Sequence, residues 1–135
     1  MDWIDKQPPE LRSALEGKCL YGIDSGPPLL PRRKFEITVL PKKAHRLERF
    51  VMSLTMLDAF EVLSVEVADS GIHYVIEVER RQNNASLWLK LRGVARRRET
   101  PEVPAGGPVT LHVMPQTSGK RFTCTAVGGP FSQMN

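Results

Sequence analysis

The chain has only two cysteines in 135 residues, Cys19 and Cys124, with no second cysteine or histidine at metal-ligand spacing beside either. This excludes a cysteine-based zinc module and a densely stapled scaffold, and it fits a reducing compartment, although spacing alone leaves a Cys19–Cys124 bridge open. No apolar run approaches the roughly 18 residues of a membrane-spanning helix. Met1 to Lys18 carries Asp2, Asp5, Glu10 and Glu16, is broken by Pro8-Pro9 and lacks the apolar centre of an export signal. The expectation is a soluble, cytoplasmic chain with no membrane contact. In that setting the sequon Asn84-Ala85-Ser86 has no physical meaning. Gly-rich phosphate loops, GxSxG elbows and HExxH helices are all missing, which removes the commonest nucleotide, acyl-transfer and zinc-hydrolase signatures. Internal repeats are missing too, since the Asp-Ser-Gly triplets at 24 and 69 are too short to count.

What is present is ordinary globular material: 41% apolar and 25% charged residues, enough for a packed core in about one domain. Nineteen Lys and Arg against fifteen Asp and Glu give a net charge of +4, a lean toward acidic partners. Residues 1–31 are expected to form a short helix, Leu11, Ala14 and Leu15 being spaced for one, followed by a Pro- and Gly-rich connector. Cys19 to Ile23 could supply an edge strand, but Gly22 and the prolines that follow favour the connector. Residues 32–127 are expected to form a single α+β domain, and residues 128–135 a loose tail.

Within that domain, Phe35, Ile37 and Val39 alternate with Glu36 and Thr38, the period of a half-buried strand. From Lys42 to Leu57, Ala44, Leu47, Phe50, Val51, Leu54 and Leu57 share one helical stripe, which predicts an amphipathic helix. Leu63, Val65 and Val67 alternate again, and so do Ile72, Tyr74, Ile76 and Val78. With Asp69-Ser70-Gly71 between them, these two runs predict an antiparallel hairpin. A helix between the first two strands would let them run parallel in one sheet.

For residues 85–97, capped by Asn84, a helix is preferred, because Leu87, Trp88, Leu91, Val94 and Ala95 fit one face. A strand is the rival, since Leu87, Leu89 and Leu91 also alternate. Glu99 to Pro108 reads as a loop, and Val109 to Val113 with Phe122 to Val127 as a terminal hairpin. The resulting order, β-α-β-β-α-β with an extra C-terminal strand and a short N-terminal helix, predicts a ferredoxin-like split βαβ sandwich. The alternative is one helix on a mostly antiparallel β meander.

Two surfaces are candidates for binding. The basic one gathers Arg32, Arg33, Lys34, Lys42, Lys43, Arg46, Arg49, Arg96, Arg97 and Arg98, which could meet the phosphates of DNA or RNA, or an acidic partner; solvated helix faces are the competing account. The other is the polar face of the sheet, carrying Glu36, Thr38, Glu66, His73, Val75 and Glu77, with Ser64 and Glu79. It is too acidic and too poor in aromatics for base stacking, but it is suited to contact with another protein or a second copy of the chain. His45 and Glu48, three apart, are too few for a metal site, and no metal or cofactor is expected. Cys19 or Cys124 could meet His73 or His112 as a thiol nucleophile, but local sequence adds nothing to that idea. The balance favours a small non-enzymatic interaction or regulatory protein. A nucleic-acid-binding accessory protein is the alternative, and a thiol-dependent enzyme the weaker one.

Overall fold

A computed structural model of the chain describes residues 18–69, 72–80, 86–89, 102–117 and 119–129. The elements are β1 (Cys19–Asp24), β2 (Phe35–Val39), β3 (His45–Val51), helix α1 (Leu54–Ala59), β4 (Phe60–Asp69), β5 (Ile72–Ile76), β6 (Val78–Arg80), β7 (Ser86–Leu89), β8 (Glu102–Val103), β9 (Val109–Pro115) and β10 (Thr123–Gly129). They form two sheets with every pairing antiparallel. One has the order β2-β9-β4-β5, and the other β1-β10-β3-β7-β6, with β8 also paired to β3.

The chain passes between the sheets at several points. β5 and β6 are one strand interrupted at Glu77, its first part paired with β4 and its second with β7. β9 and β10 also lie in different sheets, and β1 and β2 touch at the far side. Between the sheets lies one apolar cluster. β9 supplies Val109, Leu111 and Val113, and β4 supplies Val65 and Val67; Leu47, Phe50, Leu87 and Ala126 meet them from the other sheet. Phe60 and Phe122 close it with an edge-to-face contact, 5.1 Å between ring centroids.

This architecture overturns the ferredoxin-like expectation: one six-residue helix is present among the described residues, and the long helix expected over Lys42 to Leu57 is replaced by β3 and α1. The physical reason is a bulge. Arg49 pairs with Val127 and Leu47 with Gly128, so Glu48 is an extra residue on β3. A bulge resets side-chain alternation, so Leu47 and Phe50, three residues apart, both enter the core as they would on a helix. Ser53 then caps α1, its Oγ accepting from the Met56 N–H at 3.1 Å.

Other expectations also change. Residues 86–89 are a strand, the rival account of that stretch, and the rest of the helix expected over 85–97 lies outside the described residues. Val109 to Val113 and the 122–127 run do not form a hairpin, since they belong to opposite sheets. The stretch expected as a connector contributes β1, paired along its length with β10, and Gly128 and Gly129 at the start of the expected tail end β10. Within Glu99 to Pro108, Glu102–Val103 forms β8 against β3. Strands β2 and β4 do share a sheet and a direction, but β9 lies antiparallel between them. The hairpin of β4 and β5 pairs as expected. The short helix expected near Leu11 lies outside the described residues. Nor is the antiparallel alternative a true meander, because its strand order is not sequential.

Candidate functional site: the outer face of the four-stranded sheet

Strict alternation along β9, buried at Val109, Leu111 and Val113 and half-buried at Thr110, His112 and Met114, sends its polar residues away from the core. Register then sets their neighbours. Glu36 of β2 and Ser64 of β4 lie opposite His112, and Thr38 and Glu66 lie opposite Thr110, with Val75 of β5 beyond Glu66. A second bulge in β4, between Val62 and Ser64, is what brings Ser64 rather than Leu63 to the outer face.

Four side chains from four strands make a continuous strip. The Glu66 carboxylate lies 2.9 Å from His73 Nδ1 through one oxygen and 3.2 Å from His112 Nε2 through the other. On its far side His112 Nδ1 lies 3.9 Å from Glu36 Oε2. Both imidazole nitrogens nearest Glu66 are in donor positions, and these two bonds hold the Glu66 carboxyl below the ordinary carboxylate range, His112 contributing most. Beside them the Thr38 and Thr110 hydroxyls bond each other at 2.8 Å. The strip is open to solvent: the Glu36 side chain is 71% exposed and that of His73 61%, while Val75 is 67% exposed. Among the described residues no group of three His, Cys, Asp or Glu is arranged to hold a metal ion.

Of the sheet-face residues expected from sequence, Glu36, Thr38, Glu66, His73 and Val75 fall on this face, and Glu77 stands exposed at the break between β5 and β6. Sequence reasoning left out Thr110 and His112. Their outward positions are visible in the alternation of residues 109–113, but nothing local shows that β9 is inserted between β2 and β4.

Among the described residues the basic candidates do not converge. Arg32, Arg33 and Lys34 are exposed at the start of β2, Lys42 and Lys43 past its end, and five strand residues separate the groups by about 17 Å. Arg46 faces Glu102 at 4.0 Å. Arg49, expected on an outer helix face, is buried, its guanidinium 4.6 Å from the centre of the Trp88 ring. Burial lowers its pKa, against the nearby Glu48 charge, and its Nε has no hydrogen-bond partner among the described residues. Arg96, Arg97 and Arg98 lie outside the described residues. Lys120 joins the first group, because Leu29 and Lys120 form a bridge, and Arg32 there holds a left-handed φ of 63°.

His45 and Glu48 have separate partners. His45 is fully buried, its Nδ1–H donating to the Lys43 carbonyl at 2.9 Å and its Nε2 accepting from the Tyr21 hydroxyl at 2.9 Å. Burial pushes the Tyr21 phenol up and the His45 imidazole down, so the pair rests as a neutral phenol on a neutral imidazole. Glu48 is bonded to Lys18 at 2.9 Å. The thiols stand apart from the two outer histidines: Cys19 and Cys124 are on β1 and β10 of the other sheet, and burial pushes the Cys124 thiol up, away from thiolate chemistry. No protein-family model, curated protein or solved structure matches the chain. No helix among the described residues is long and apolar enough to cross a membrane.

Proposed function

We propose that this protein is a non-enzymatic interaction or regulatory protein that works by contact, and that the contact is made by the outer face of the four-stranded sheet. The observation that carries the proposal is the strip Glu36–His112–Glu66–His73, in which all four strands contribute one titratable side chain to an open surface. Beside it Thr38 adds a hydroxyl and Val75 an exposed apolar patch. Polar groups beside an exposed apolar side chain are common in non-obligate interfaces, and here Val75 stands at the edge strand.

A second role has its own support. Arg32, Arg33, Lys34 and Lys120 make an exposed cationic corner with no ion pair among the described residues, and the left-handed Arg32 is a conformation that costs about 1 kcal/mol or more. Such a corner suits phosphate contact on DNA or RNA.

Charge reversal separates the two. Proteins captured by the wild-type chain are expected to be lost by a Glu36→Lys, Val75→Lys variant and kept by an Arg33→Ala, Lys34→Ala variant. The opposite pattern, together with binding to DNA or RNA near 50 mM salt that weakens steeply as salt rises, would transfer the function to the basic corner.

A further inference from the structure

We propose that the strip takes a lysine- or arginine-rich segment of its partner at neutral pH and releases it in acid, with His73 and His112 as the gate. The proposal rests on the contact role above and names the partner's chemistry and its control.

Charge complementarity selects the occupant. Glu36 and Glu66 have histidines as their ion-pair partners among the described residues, with no lysine or arginine on either. They stand two strands apart, about 10 Å, a span that successive basic side chains of an extended segment can bridge. The exposed Val75 offers the apolar surface on which a lysine or arginine stem lies while its head reaches a carboxylate. The other charged groups near this face are Glu61 on β4, opposite Met114 in the next cross-strand row, and Glu77 past the end of β5, while Lys34 precedes β2 at the basic corner. None of them stands between Glu36 and Glu66.

The gate follows from geometry. His112 lies between the two carboxylates and His73 on the outer side of Glu66, so with neutral imidazoles the strip carries two negative charges. Imidazole is the side chain that gains a proton between about pH 8 and 5. Once both are protonated, positive and negative groups alternate across four strands and the strip has no net charge. The carboxylates then have charged internal counterions, and the net attraction for a partner's cations is lost. Protons and the basic segment therefore exclude each other, and linkage makes the exclusion mutual.

The test uses the full chain and an oligolysine peptide as probe, with affinity measured by calorimetry at pH 8 and pH 5.5 in about 50 mM salt. Binding is expected to be about tenfold weaker at the lower pH. Glu66→Gln is expected to weaken binding at pH 8, and in a His73→Gln, His112→Gln variant the ratio of the two affinities is expected to fall toward one. Equal affinity of the wild-type chain at both pH values overturns the gate but keeps the contact face. A pH dependence unchanged in the double histidine variant also overturns it. Absence of binding at both pH values removes the basic-segment partner and the gate together, whereas the contact face itself is tested separately by the capture experiment above.

Discussion

Two kinds of histidine environment occur in this chain, one open and one enclosed. His73 and His112 sit beside the Glu66 carboxylate at the surface. His45 is enclosed, and its lone acceptor position is filled by the Tyr21 hydroxyl, so a proton there would have to displace a hydrogen bond inside the core. Gly128 adds to the enclosure, because a Cβ at that position would collide with the His45 ring. The folded-state pKa of His45 is lowered, burial outweighing the bond to Lys43. As pH drops below the unfolded value of about 6.5, the unfolded chain binds the proton first and stability is lost. Denaturant midpoints are therefore expected to fall between pH 7.5 and 5.5 in the wild-type chain and to fall less in a His45→Gln variant. Equal slopes in the two proteins would mean that His45 accepts its proton while still folded.

At the level of elements, α1 is too short to hold itself together, so its cap matters more than its propensity. Ser53 supplies that cap, and α1 presents Ala59 to the core while Leu54 stays 60% exposed. Ser53→Ala is expected to cost about 1 kcal/mol in denaturant unfolding, and loss of amide protection should be confined to Leu54–Ala59 and the Gln116 N–H, which bonds the Ala59 carbonyl at 2.7 Å. A variant as stable as the wild type would leave the packing of Met56, Leu57 and Ala59 as what holds the helix. The same region shows why some elements were legible in the sequence and others not. Alternation at Phe35, Ile37 and Val39, and in the β4 and β5 runs, was readable because each strand buries one face alone. In β3 the bulge at Glu48 imitates a helical spacing, and Arg49 is buried despite its charge, so the apolar stripe and the polar remainder both pointed to the wrong element. The candidate face was partly legible for the same reason: Glu36, Glu66 and His73 follow from period two, whereas their union through His112 depends on a long-range pairing with no local signal.

For the molecule as a whole, the issue is whether two sheets make one cooperative unit. The β5–β6 strand belongs to both, the 116–122 connection joins β9 to β10, and a single apolar cluster fills the space between. β9 is the structural centre of the four-stranded sheet, flanked by β2 and β4, and Leu111 on it is fully buried. Leu111→Ala should cost about 2–5 kcal/mol, because the surrounding β-structure cannot collapse freely into the cavity. If the core is shared, that loss reaches amides the substitution does not touch. Protection of Phe50 on β3 and Ala126 on β10, both in the other sheet, should then fall by the same free energy as protection of Val65 on β4. Hydrogen exchange at individual amides measures all three. Unchanged protection at Phe50 and Ala126 would divide the chain into two units that open separately, and the contact face would then stand on a sheet able to open without the other.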